Sequence, residues 1–160
     1  MNHILSVLVN DKPGVVTRVS ALFTKRNYNI RSFVGCETYI QGTSTLIIVV
    51  DGEDSIIEQI TKQVNKLIDV IKVSDITLKK YVSRELVLIK VKANKENRSE
   101  IIQIVDIFRA NIVDFQNEAL MVEATGDASK IDALVEALKP FGILEFVKTG
   151  EIAMTRQNNN

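Results

Sequence analysis

Apolar residues run almost unbroken through Ile4-Leu5-Ser6-Val7-Leu8-Val9, stop at Asn10-Asp11-Lys12-Pro13-Gly14, and resume at Val15 with a different spacing. The first run has the β-rich, nearly continuous character of a central strand. From Pro13 onward Val15, Val19, Leu22 and Phe23 recur at helical intervals, which predicts a helix to about Asn27. Ile30 to Thr38 and Thr43 to Val50 read as two strands joined by Tyr39-Ile40-Gln41-Gly42, a connection of hairpin length. Ser55-Ile56-Ile57-Glu58 has the spacing of a capping box, and Ile57, Ile60, Val64, Leu67 and Ile68 mark an amphipathic helix after it. A strand from Val70 to about Thr77 completes a βαββαβ order.

After the charged stretch Lys79 to Glu85 the same order returns. Leu86 to Ala93 is a strand. Ile101, Ile104, Val105 and Phe108 form a helical stripe. Ile112 to Phe115 and Ala119 to Ala124 form a hairpin, Ile131, Leu134, Val135 and Leu138 a second helix, and Ile143 to Thr149 the last strand. A local echo supports the repeat: ALFTKRNYNIRSF, Ala21 to Phe33, has a shorter counterpart in VDIFRANIVDF, Val105 to Phe115. The expected fold class is α+β, with two ferredoxin-like halves at 1–78 and 79–160. Halves this small bury only roughly 60% of their unfolded surface, so further burial between chains, as in a dimer, is expected.

Composition then narrows the function classes. The 160 residues are 46% hydrophobic and 25% charged, with twenty basic against twenty acidic residues. A zero formal net charge gives no broad positive field to steer the chain to nucleic acid or an anionic membrane. The strands expected at the sheet centre, SVLV and TLIIVV, lack the aromatic rings on which RNA-binding domains of this order stack bases. No apolar run reaches the ~18 residues of a membrane span, and the N-terminus does not read as a signal peptide, so a cytoplasmic location is expected. For the same reason the sequon Asn97-Arg98-Ser99 is read as unmodified. Arg156 to Asn160 lacks apolar anchors and is expected to fray.

Catalytic chemistry is sparse. There is one cysteine, Cys36, and one histidine, His3, far apart in the chain, which leaves few soft ligands for a metal. Cys36 falls in a strand and is expected to be buried as a small hydrophobe. No nucleophile elbow, zinc-protease, P-loop or dinucleotide motif is present. No catalytic residue, metal site or cofactor is therefore assigned to this chain.

The turn between the first strand and helix keeps two readings open. Asp11 can cap the helix, Pro13 suits a first helical turn, and Gly14 permits close backbone approach, which together make a plain connection. Equally, unpaired N–H groups at the helix start favour an anion such as an amino-acid carboxylate, with the neighbouring valines beside a small apolar side chain. Asn29 carries both a donor and an acceptor for the two charged ends of such a ligand.

VNDKPGVVTRVSALFTKRNYNIRSF, Val9 to Phe33, and IFRANIVD, Ile107 to Asp114, resemble the small regulatory subunits of acetolactate (acetohydroxyacid) synthase, over nearly the whole chain. Leu67-Ile68-Asp69-Val70 and Arg84-Glu85-Leu86 add to the resemblance. It implies an N-terminal ACT domain, no catalysis by this chain, and a large catalytic partner carrying thiamine diphosphate, Mg and FAD. That partner is activated by the small subunit and made sensitive to branched-chain amino acids, chiefly valine. It further implies a homodimer through ACT domains, with Asp11, Lys12, Pro13, Gly14, Val15 and Val16 of one chain receiving the effector and Asn29 and Ile30 coming from its partner. Many members have asparagine where Asp11 stands; a carboxylate there repels an effector's carboxylate and attracts its ammonium. The C-terminal half lacks Asp-x-Pro-Gly, reading Ala93 to Arg98 instead, and is expected to contact the catalytic subunit, with Phe108, Arg109 and Asp114 as residues to test. A freestanding amino-acid sensor is the alternative.

Overall fold

The computed structural model describes residues 2–157, so part of the C-terminal stretch expected to fray, 158–160, lies outside the described residues. Two compact units divide the chain, one formed by residues 2–82 with 151–157 and the other by Ser83–Gly150. Each has its own apolar core.

The first unit contains β1 (Asn2–Asn10), α1 (Val15–Thr24), β2 (Ile30–Glu37), β3 (Thr43–Asp51), α2 (Asp54–Val64) and β4 (Val70–Asp75). Its sheet has the order β2-β3-β1-β4 and is antiparallel throughout. Alternation decides which side chains meet the helices: Leu5, Val7 and Val9 of β1 join Leu46, Ile48 and Val50 of β3, covered by Val15, Val19 and Phe23 of α1 and Ile57, Ile60 and Val64 of α2. The other residues of the unbroken apolar runs form a smaller cluster, Ile4, Ile47, Val49 and Ile76, against which Tyr81 and Ala153 pack. Both faces of the central strands are thus partly covered, which is why their sequences do not alternate.

The second unit repeats the topology. Here β5 (Tyr81–Lys92), α3 (Arg98–Ile107), β6 (Asn111–Phe115), β7 (Ala119–Gly126), α4 (Ala128–Leu138) and β8 (Ile143–Lys148) give the order β6-β7-β5-β8. Val87, Ile89 and Val91 face Leu120 and Val122 and are covered by Ile101, Val105, Ile131 and Leu134. The repeated sequence echo is a shared helix ending. Asn27 and Arg109 both take positive φ, 61° and 51°, and the next amides, of Tyr28 and Ala110, reach back to the carbonyls of Phe23 and Val105. These left-handed caps turn the chain into edge strands β2 and β6.

Several expectations need correction. A ninth strand, β9 (Ile152–Thr155), pairs with β5, and Ala153 packs on the first unit's outer cluster. Contacts therefore assign residues 79–82 and 151–157 to the first unit, where a single division at 78/79 had been expected. α1 stops at Thr24, and Ile68, expected on the buried face of α2, lies beyond that helix and is 92% exposed. The Ser55–Glu58 capping box does not form: α2 begins at Asp54 with Glu53 as N-cap, and Glu58 pairs with Lys62 one turn on. Cys36 is exposed, because β2 is an edge strand and its last residues stay uncovered.

His3 is buried where β1, β4 and α2 meet. Its Nδ1 is 3.1 Å from Asp75 Oδ2, and Nε2 is 3.2 Å from Asp54 Oδ1 without hydrogen-bond alignment. Asp75 Oδ1 also accepts from the Thr77 amide at 2.9 Å and hydroxyl at 2.6 Å. Burial opposes ionisation of Asp75, but the two Thr77 donors and then His3 outweigh it and hold the carboxyl below its ordinary value of 3.8. A depressed carboxyl contributes stability above its ordinary pKa and loses it as pH falls through the folded value. Thermal unfolding of wild type and Asp75→Asn should therefore differ most at neutral pH and converge below about pH 4; a gap that widens in acid would refute this sign.

Candidate functional site

The Asn10–Gly14 turn is held by backbone bonds on both sides. Asn10 N–H donates to the Asp69 carbonyl at 2.8 Å, Asp11 N–H to Gly42 at 2.9 Å and Lys12 N–H to Asn10 at 2.9 Å. The turn is thus fixed to the β2–β3 hairpin and to the loop before β4. Gly14 is the N-cap of α1 with φ 84°, a conformation that disfavours any side chain. No side chain caps this helix, so the capping role considered for Asp11 is not realised; Asp11 points its carboxylate outward without a cation partner among the described residues. Pro13 lies in the turn ahead of the helix.

Three amides at this end, those of Gly14, Val16 and Thr17, have no acceptor among the described residues. Val15 is buried in the core while Val16 is half exposed beside the open amides. Donors, one carboxylate and a small apolar surface are therefore grouped at one exposed helix start.

Asp69 is the residue the sequence did not point to. It is 5% exposed, and its carboxylate lies 3.5 Å from Lys12 Nζ and accepts a hydrogen bond from Arg18 Nη2. A buried carboxylate needs such cations. Arg18 in turn lies over Gly14: a Cβ added there would stand 3.0 Å from Arg18 Nη1.

Asn29 and Ile30 are not at this end of their own unit. Asn10 pairs with Thr43 whereas Ile30 pairs with Val50, about 24 Å away along β3 at ~3.4 Å per residue. One chain thus brings Asp11 to Val16 together and leaves Asn29 and Ile30 at the opposite end of the sheet.

The equivalent turn in the second unit differs at the N-cap, where the amide of Asn97 is taken by a side chain while that of Gly14 is open. Asn94 Oδ1 accepts from Glu96 and Asn97 N–H at 2.9 and 3.0 Å, and Asn97 Oδ1 accepts from Asn94 N–H at 2.8 Å. Arg98 is committed to the carbonyls of Gln116 and Asn117 and stacks on Phe115. Phe108 packs against the second core, Arg109 is exposed at its left-handed cap, and Asp114 accepts from the Gln116 side chain. Among the described residues no three His, Cys, Asp or Glu side chains are grouped as metal ligands, and no helix is long and apolar enough to cross a membrane.

Two ferredoxin-like units, one carrying an open, glycine-capped helix start, define an ACT-type protein. A family model of the ACT domain of acetohydroxyacid synthase small subunits matches residues 5–72. A model described as the small subunit of acetolactate synthase matches residues 84–157. The acetolactate synthase small subunits of Mycobacterium bovis and Mycolicibacterium smegmatis are 50% and 49% identical over 96% of this chain and 92% and 91% of theirs. The crystal structure of the acetolactate synthase small subunit from Thermotoga maritima aligns over 99% of both chains with a TM-score of 0.90 at 41% identity. The chain belongs to the acetolactate synthase small-subunit family.

Proposed function

We propose that this chain is a non-catalytic regulatory subunit that binds the large subunit of acetolactate synthase, raises its activity and makes it subject to feedback inhibition by valine. Thiamine diphosphate, Mg and FAD belong in this reading to the large subunit, and the complex to the cytoplasm. The observation that carries the effector role is the Asp11–Val16 turn, where the Gly14 amide is open beside an unpaired carboxylate, whereas the corresponding N-cap amide of the second unit, of Asn97, is taken by Asn94 Oδ1.

The site is completed by a second copy. Among the described residues β2 is an unpaired sheet edge, with neither lysine nor proline to discourage association. Antiparallel pairing of two β2 strands reverses one against the other, so the Asn29–Ile30 end of one copy meets the Glu37 end of its partner. Glu37 pairs with Ser44, and Ser44 with Val9, directly before the turn. The two groups of residues that one chain holds apart are thereby brought to the same end of a continuous sheet.

The test is the activity of the cognate large subunit with and without this chain across a valine titration. Activation that valine reverses supports the reading; activation insensitive to valine removes the effector role, and valine binding without activation favours a freestanding sensor.

A further inference from the structure

The charges at the turn do not cancel locally. Lys12 and Arg18 share one buried carboxylate, Asp69, which leaves a surplus positive charge on that side. The Asp11 carboxylate, exposed and unpaired among the described residues, supplies a negative one. A plus and a minus on one short turn complement a zwitterion.

Of the two cations, Arg18 is the one in place. Only its Nη2 is engaged, by Asp69; Nη1 and Nε have no acceptor among the described residues. Nη1 hangs over Gly14, whose own amide is open. An anion drawn to that amide therefore meets a planar guanidinium already oriented by a buried carboxylate, and a carboxylate can take two parallel bonds from such a fork. Lys12 is a more exposed point charge with a looser contact of 3.5 Å. Glycine at 14 has a second reason in this geometry: its missing side chain makes room for Arg18 as well as for a ligand.

We infer that Arg18 is a binding residue for the carboxylate of the amino-acid effector and that Asp69 positions it, a deepening that rests on the turn being the effector site. Lys12 holds the other side of Asp69 and leaves the guanidinium free to face outward.

Calorimetric titration of L-valine and L-valinamide into the full-length chain tests this, with thermal unfolding as the check on folding. Arg18→Gln should weaken valine binding tenfold or more while changing valinamide binding little, so the preference for the carboxylate collapses. Arg18→Lys should recover part of the affinity. Asp69→Asn should weaken valine binding when Arg18 is present and have little effect once Arg18→Gln is in place. Arg18→Gln with unchanged affinity, or with equal losses for valine and valinamide, overturns the inference. If Gly14→Asp abolishes valine binding and Arg18→Gln does not, the turn stands and only the role of Arg18 falls. A folded wild-type chain that binds no valine overturns both.

Discussion

Gly14→Asp is expected to remove inhibition by valine, raising the concentration for half-inhibition at least about 100-fold, equivalent to roughly 2.7 kcal/mol. Three effects add. Aspartate at φ 84° sits in backbone territory that costs on the order of 1 kcal/mol or more for a residue with a Cβ. That Cβ stands 3.0 Å from Arg18 Nη1, so the guanidinium must move. The new carboxylate then offers Arg18 a nearer partner than Asp69 and occupies with negative charge the place where the effector's carboxylate is expected. Loss of one hydrogen bond to a charged group costs about 1.5 to 3 kcal/mol on its own. Inhibition should be expressed relative to each holoenzyme's rate without valine, so that a changed level of activation does not imitate a changed affinity. A folded Gly14→Asp subunit inhibited at the wild-type valine concentration would remove the turn from the site.

The parts of this arrangement differ in how far sequence could reveal them. β1, α1, the β2–β3 hairpin and their repeats in the second unit follow from periodicity, because Leu5, Val7, Val9, Val19 and Phe23 must share a core. The echo between RNYNI and FRANI was visible as text, and its cause is the left-handed cap at Asn27 and Arg109. Asp11 to Val16 could be marked as a turn with open donors, because proline and glycine announce it. The Arg18–Asp69 pair could not, since 51 positions separate its members and nothing in local pattern couples them. β9 was missed for a similar reason: Ile152-Ala153-Met154-Thr155 is too short for a period, and its place follows from the strand it pairs with. Ser55 and Glu58 show the reverse failure, a local pattern overridden because the helix starts two residues earlier and Lys62 claims the glutamate.

The largest effect on stability is expected from Phe23→Ala. Phe23 is fully buried and is the largest side chain in the first unit's core. Its carbonyl accepts the amides of both Arg26 and Tyr28 at the end of α1, so its backbone cannot readily shift to fill a void. Truncating a buried phenylalanine costs about 3 to 5 kcal/mol, a large share of the 5 to 15 that holds a typical domain. All three tyrosines, Tyr28, Tyr39 and Tyr81, fall within the first unit and the chain has no tryptophan, so tyrosine fluorescence during urea unfolding reports chiefly on that unit. The midpoint should fall steeply in Phe23→Ala. A ligand that binds only the folded unit stabilises it by RT ln(1 + [L]/Kd), about 2.7 kcal/mol at a hundredfold excess over Kd, so saturating valine should return part of the lost stability. The same addition to Gly14→Asp should return none, because the site it needs is gone. A tyrosine transition unmoved by Phe23→Ala would mean that the core built on α1 does not hold the unit together, whereas a shifted transition that valine fails to restore would separate the fold, left standing, from the effector assignment, which would fall.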